Sequence, residues 1–157
     1  MTSGKTCTIC NEILANPRFL ICKRCNESNW FPPTLKIEDT FFKNGQLKVD
    51  VFLEKPERIA QLFSRGDMGM NKLRTFFVML RAAYDTIFLG KISHFENIKP
   101  QLFILQRAVE DRTRRGIVPE SFRQFINHHL KIVLNSETQE ELYGFMEFYR
   151  SIIAYSK

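Results

Sequence analysis

The four cysteines of the chain lie in one short N-terminal stretch and are spaced as two C-x-x-C pairs, Cys7 with Cys10 and Cys22 with Cys25. A C-x-x-C turn presents two thiolates to one ion, and two such turns complete a tetrahedral set around zinc. Asn11 and Asn26 follow the pairs, and asparagine tolerates the left-handed backbone conformation that such turns need. The spacing therefore predicts one zinc ion per chain.

A closed set of four cysteines leaves no coordination position for water or substrate, so the predicted zinc is structural. Two disulfides or an iron centre remain the alternatives. The opening residues MTSGKTCTIC contain no apolar core of a signal peptide, and no run approaches the roughly 18 apolar residues of a membrane span. We therefore expect a cytoplasmic protein that does not enter a membrane, and reduced thiols in that compartment favour zinc over disulfides.

The sequence does not contain the residue patterns of a catalytic site. G-x-S-x-G, a phosphate-binding glycine loop and H-E-x-x-H are all missing. His128 and His129 are neighbours on a predicted helix, so they point about 100° apart and cannot hold one metal together. We expect them to be a surface pair. The chain is accordingly predicted not to be an enzyme.

Basic residues are better organised than the acidic ones. The net charge of +6 and the pI near 9.3 favour a polyanionic partner, with nucleic acid first. Arg74 and Arg81 stand seven apart and share one side of a predicted helix, with Lys72 beside them. The candidate RNA-contacting residues are Lys72, Arg74, Arg81, Lys99, Arg107, Arg112, Arg114 and Arg115. The alternative is an ordinary solvated surface whose last arginines complement the helix dipole.

Composition and periodicity divide the chain into three regions. Residues 1–34 form a four-cysteine zinc-binding module, which ends in a hinge at Pro32 and Pro33. Residues 35–55 form a β-hairpin and linker, because Asn44-Gly45 is a strong hairpin-turn signal. The alternation of Leu47, Val49, Val51 and Leu53 extends the second strand. Residues 56–157 form an α-helical domain.

Apolar residues recur at helical spacing in this last region, which predicts a mainly α fold with a bundle of four to five helices. The predicted helices cover residues 70–88, a segment that restarts or kinks at Pro100 and runs to Gly116, residues 119–134 and residues 136–155. Gly90 is placed to end the first of them. Ser93 to Glu96 and Ser136 to Gln139 have the spacing of capping boxes.

Three phrases of the chain, MNKLRTFFVMLRAAYD, IKPQLFILQRAVEDR and ELYGFMEFYRSIIAYSK, resemble the small helical subunit of the type III-A CRISPR effector, the Csm complex. The resemblance covers about residues 50–157. Its counterparts here are Leu73-Arg74, Lys99-Pro100 with Arg107, and residues 148–157. Gln106-Arg107 stands where that family usually has Gly-Arg, and the four-cysteine module and hairpin are additions to the usual small subunit.

The resemblance implies a non-catalytic subunit that binds the guide and target RNA in antiviral defence, beside other Csm subunits and further copies of itself. Contacts to the RNA backbone would give affinity without sequence preference, and guide pairing would supply specificity. The alternative is a zinc-ribbon nucleic-acid-binding regulator, in which Lys23 and Arg24 touch the polymer and the helices form a dimer.

Overall fold

The computed structural model describes residues 4–89 and 94–157 and confirms a mainly α fold with a two-stranded hairpin. The α-helices are α1 (Lys23–Glu27), α2 (Lys55–Arg65), α3 (Met70–Phe88), α4 (Lys99–Arg114), α5 (Glu120–Leu134) and α6 (Glu140–Tyr155). The strands are β1 (Phe42–Lys43) and β2 (Gln46–Leu47). Gly90 and Ser93, to which the sequence assigns a helix end and a capping box, lie outside the described residues.

The hairpin turn forms at the predicted residues, because Asn44 and Gly45 take φ values of 54° and 78°, as a two-residue hairpin turn requires. Phe42 pairs with Leu47 across the antiparallel strands. The predicted extension of the second strand is wrong. After Leu47 the chain enters a 3₁₀ turn, Val49–Val51, in which Val51 is buried while Val49 is exposed.

The apolar stripes of the helices are largely confirmed. Helix α3 begins and ends at the predicted residues, and α4 begins at Lys99 after a 3₁₀ turn at Phe95–Ile98, with Pro100 in its first turn. The predicted capping box at Ser136 does not form. Its hydroxyl donates to the carbonyls of Val133 and Thr138, so α6 begins at Glu140.

Helix α6 packs against α2, α3 and α5, while α4 packs against α3 and α5. Phe125 of α5 lies at the centre of the core. The phenylalanine rings around it, at centroid distances of 5.4 to 6.1 Å, are Phe31, Phe63, Phe122, Phe145 and Phe148. Six of the fifteen phenylalanines thus form one aromatic cluster in the core.

The segment 28–41 threads into this core and differs from the hinge that its two prolines suggest. Phe31, Leu35, Ile37 and Phe41 are buried, and the Phe31 N–H donates to Oε1 of Gln124 over 2.8 Å. We call residues 28–41 the strap, because they join the N-terminal module to the helices and cover one side of α5.

The strap explains why the predicted surface location of the histidine pair is wrong. His129 is 0% exposed; its Nδ1–H donates to the Phe125 carbonyl over 2.7 Å, and its Nε2 accepts from the Ile37 N–H. His128 donates from Nε2 to the Ile37 carbonyl over 2.8 Å. Both rings therefore hold the backbone of Ile37, one at its N–H and the other at its carbonyl. Burial lowers the pKa of His129 well below its usual value.

Within residues 4–89 and 94–157, none of the helices combines the length and the apolar content that crossing a membrane requires.

Candidate metal centre and nucleic-acid interface

The four cysteine sulfur atoms converge on one point, as their spacing predicts. All of them lie within 4.8 Å of one another, and Sγ of Cys10 is 3.8 Å from Sγ of Cys22. A tetrahedral zinc site with metal–sulfur bonds of about 2.3 Å has sulfur–sulfur edges of about 3.8 Å. All four cysteines are free, so the geometry fits a single metal ion and does not show the two disulfides.

Local backbone hydrogen bonds shape each C-x-x-C turn. Asn11 donates its N–H to the Cys7 carbonyl over 2.9 Å and takes a φ of 67°, which confirms the role predicted for it. Asn26 does not take that role. It lies inside α1, which begins after Cys22, and the left-handed residue that ends this helix is Ser28.

The ionisation of the thiols differs across the cluster. Burial alone would raise the pKa of Cys7. Hydrogen bonds from the N–H groups of Cys10, Cys22 and Ile9 outweigh burial and lower this pKa to about 7. Burial and the neighbouring thiols raise the pKa of Cys10 to about 12. The Cys10 thiol therefore does not ionise readily by itself, whereas a bound divalent cation stabilises a thiolate ligand.

Trp30 contributes a further group that suits a thiolate. Its indole Nε1 is buried without a standard hydrogen-bond partner among the described residues. Burial raises the pKa of Cys25, and the Trp30 N–H opposes that shift. Arg24 stacks over the same indole at 4.7 Å. A metal-bound Cys25 sulfur would give the buried N–H an acceptor.

The candidate RNA-contacting residues on α3 do not form one cluster. Arg74 and Arg81 share an exposed side of the helix, and Arg81 pairs with Asp85 at 3.7 Å. Lys72 lies about 200° around the helix from Arg74, so the prediction that it stands beside the two arginines is wrong. Its Nζ contacts Asp67 and the Ile117 carbonyl, each at 3.2 Å.

Helix α4 and Arg115, the residue that follows it, carry paired and unpaired cations. Lys99 pairs with Glu96 at 2.8 Å, Arg115 pairs with Asp111 at 3.4 Å, and half-buried Arg112 points back to its own helix. Arg107 and Arg114 are seven apart, so they share one side of the helix. Like Arg74, they form no ion pair within residues 4–89 and 94–157.

Two features escaped the sequence reasoning. Arg123 of α5 binds both Glu120 and Glu110, which lowers the pKa of Glu120 through its hydrogen bond to Arg123. A second feature is a groove of about 630 Å³ lined by Arg18, Phe19, Leu20, Lys23 and Arg65, among others. In the sequence, the only indication of this groove is the basic and apolar run Arg18-Phe19-Leu20 that precedes Cys22.

Comparison with known proteins bears on residues 46–157, which match the family model described as Csm2 Type III-A. This region covers more than half of the chain, agrees with the resemblance seen over about residues 50–157, and leaves the cysteine cluster outside the match. No curated protein and no solved structure matches the chain. The chain belongs to the Csm2 Type III-A family and is thus a subunit of the type III-A Csm complex.

Proposed function

We propose that the chain is a non-catalytic RNA-binding subunit of the Csm ribonucleoprotein, in which α3 and α4 contact the backbone of the guide or target RNA. The observation that carries this proposal is the set of arginines without ion pairs among the described residues, Arg74, Arg107 and Arg114, on the region that matches the family. Several copies of the chain would lie side by side along the RNA, next to the other Csm subunits.

Guanidinium groups suit this role because their planar forks contact phosphate oxygens through two hydrogen bonds. A duplex that includes RNA is recognised mainly through its shape and backbone, so these contacts would not depend on sequence. The salt bridges of Lys99, Arg81 and Arg115 are exposed or partly exposed and therefore weak. RNA phosphates can displace the carboxylates from these cations. Binding to them then costs more free energy than binding to arginines without an ion pair.

The non-catalytic part of the proposal is supported by what the candidate catalytic side chains do. His129 is buried, and both histidines of α5 hold the backbone of Ile37. The cysteines converge on a shared centre. These groups stabilise structure in the part of the chain that the structure describes, and they do not face a common cavity.

The cysteine cluster is proposed to hold one structural zinc ion. The convergence of the four sulfurs within 4.8 Å, the N–H of Cys22 directed at Sγ of Cys7 and the absence of a disulfide among these four cysteines support this assignment. Metal analysis of freshly purified, reduced protein tests it: one equivalent of zinc is expected, while iron in its place or no metal would contradict it.

The RNA proposal is tested by fluorescence anisotropy with labelled target RNA at several salt concentrations, using Arg74→Ala and Arg107→Ala. Each lost phosphate contact is expected to reduce the slope of log affinity against log salt by about 0.7 to 0.9. Arg81→Ala should have a smaller effect because Asp85 competes for its charge. Lys43→Ala, on the hairpin, is the control for loss of one charge.

Unrelated RNA sequences should lose affinity equally in these variants, since backbone contacts carry no sequence information. Wild-type affinity of the Arg74→Ala/Arg107→Ala double variant at every salt concentration would contradict the proposal. The cations would then be ordinary solvated residues.

The zinc-ribbon regulator remains a second candidate, because the basic groove lies on the cysteine module. Deletion of residues 1–27 separates the two functions. Deletion of residues 1–34 would not, because it removes Ser28 and Phe31 from the core. A shortened chain that still binds RNA in an Arg74-dependent way supports the Csm function, whereas loss of all RNA binding from a folded chain supports the regulator.

A further inference from the structure

The groove beside the cysteine cluster combines an exposed aromatic ring with basic side chains. Its volume of about 630 Å³ is lined by Arg18, Phe19, Leu20, Lys23 and Arg65, among others. Phe19 and Leu20 are 61% and 69% exposed, although apolar side chains of this size are usually buried. The two adjacent residues therefore form an apolar surface that is open to solvent.

The backbone of the loop between the cysteine pairs fixes this exposure. The Phe19 N–H donates to the Asn16 carbonyl over 3.2 Å, and the Thr8 N–H donates to the Leu20 carbonyl over 2.9 Å. Ile21 packs against the core, so the preceding residues are held at the surface. Cys22 follows directly, and its N–H points to Sγ of Cys7 at 3.3 Å, which ties the loop to the cysteine cluster.

The charged side chains that line the groove are all basic: Arg18, Lys23 and Arg65. Arg65 comes from the end of α2, so the helical body supplies one wall. Glu27 approaches Lys23 at 4.0 Å, but the Lys23 side chain is 87% exposed, and such a pair contributes little. The groove thus presents a positive rim around an aromatic ring.

We propose that this groove binds a single-stranded segment of RNA, with a base stacked on Phe19 and phosphates against Arg18, Lys23 and Arg65. Single-stranded RNA alternates flat base faces with anionic phosphates, and proteins bind it through aromatic rings set in basic grooves. An acidic protein segment would match the charges but would leave the exposed ring without a matching planar group. Of the residues that line the site, Arg65 alone lies within the family match. The site does not depend on the arginines of α3 and α4.

The test uses the full-length, metal-loaded chain and a fluorescein-labelled oligouridylate of about ten nucleotides, which is long enough for one such groove. Phe19→Ala is expected to weaken binding by about 5- to 150-fold, the range for loss of one base stack. Phe19→Trp should retain or improve the affinity. Ile13→Ala is the matched control, because Ile13 is 75% exposed and does not line the groove.

Arg65→Glu gives a second test that does not alter the cysteine module. It should weaken oligouridylate binding, and Arg65→Ala should reduce the salt slope by about 0.7, the value for one phosphate on a single strand. Metal content and hydrogen exchange of α2 identify a variant that has lost its fold. Wild-type affinity of both Phe19→Ala and Arg65→Glu would overturn the inference.

The outcomes distinguish this inference from the proposed function of α3 and α4. Weakened binding in the groove variants alone supports the groove and contradicts the helical contacts. Weakened binding in the Arg74→Ala/Arg107→Ala variant alone does the reverse. If the groove variants bind RNA normally but fail to assemble with purified Csm subunits, the occupant is a protein and the RNA inference is overturned.

Discussion

The cysteine module, residues 4–27, and the helical body are stabilised in different ways. In the body, Phe125 lies in contact with aromatic rings from the strap, α2 and α6, and these helices share one large core. The module has a single short helix, and its buried apolar residues other than cysteine are Ile9 and Leu14. So few buried apolar residues cannot offset the entropy of ordering this segment, and we expect the module to depend on the proposed zinc ion.

The strap begins at the boundary between the cysteine module and the helical body. Ser28 donates to the Leu62 carbonyl over 2.8 Å, and its hydroxyl lies 2.6 Å from that of Ser121. From this residue onward the chain packs with the helices. The strap also contacts the cysteine module, because the Thr34 hydroxyl donates to the Cys10 carbonyl over 2.9 Å. The strap should therefore stay ordered when the module is not.

The largest expected effect is the loss of a metal ligand. Cys25→Ser should unfold residues 4–27, because structural zinc in small domains supplies about 10–16 kcal/mol of apparent binding free energy. Hydrogen exchange with mass spectrometry should show loss of protection before Ser28 and unchanged protection in α3 to α6. Removal of metal with a chelator should give the same pattern in the wild-type chain. Unfolding of the helices in either experiment would contradict a metal-independent body.

Truncation of an aromatic ring in the body should reverse this pattern. Phe145 is 0% exposed, so Phe145→Ala should lower the free energy of unfolding by about 3–5 kcal/mol. Phe77 is half-buried between Tyr149 and Arg150, and Phe77→Ala should cost clearly less. Denaturant unfolding of metal-saturated protein measures both. Equal costs for the two variants would contradict the burial difference.

A smaller loss of stability is expected at Ser28, where the cysteine module meets the helical body. Ser28→Ala leaves the Leu62 carbonyl without its donor in a buried site, which should cost about 1–3 kcal/mol. The Ser28→Ala/Ser121→Ala double variant should cost less than the sum of the single variants, since the hydroxyls share one hydrogen bond. Ser64→Ala, at an exposed serine of α2, is the control and should change stability little. Strict additivity of the two buried serines would argue against their coupling.

The smallest effect is a pH dependence at the strap. Burial is the main cause of the lowered pKa of His129, and the charges of His128, Lys55 and Lys36 add to it. The unfolded chain then binds more protons below about pH 6.5, so stability falls as pH drops below that value, by at most about 1.4 kcal/mol per pH unit. Above that pH the contribution is constant.

His129→Gln should remove this acid dependence, and His128→Gln is the matched control on the neighbouring ring. Hydrogen exchange of α5 peptides between about pH 5 and 7, the range in which histidine titrates, reports on the body without following metal loss. An unchanged pH profile in His129→Gln would show that another group carries the dependence.

Local sequence patterns predicted the features that neighbouring residues determine. The cysteine spacing identified the cluster, and the apolar period of residues 70–88 gave α3 its bounds, since both depend on local geometry. The Asn44-Gly45 turn could be predicted in the same way. The strap could not be predicted, because it lacks periodicity and is ordered by distant contacts, such as that between Phe31 and Gln124.

Long-range packing also determines features of individual residues that the sequence does not predict. His129 is buried because the strap covers it, and the groove needs Arg65 from a helix that is distant in sequence from Phe19. Gly144 interrupts the apolar stripe of α6 because the Phe41 side chain approaches to 2.5 Å from where a Cβ would stand. A sequence pattern cannot show such an approach.

The central claim, that this Csm2-family chain contacts RNA, is tested most directly by ultraviolet crosslinking. The chain would be tagged, purified from cells with the other Csm subunits and the guide RNA, and irradiated, and its RNA-linked peptides would be identified by mass spectrometry. Crosslinks are predicted in α3 near Arg74, in α4 near Arg107 and in the loop that contains Phe19. Recovery of the intact ribonucleoprotein with crosslinks confined to other subunits would contradict the claim.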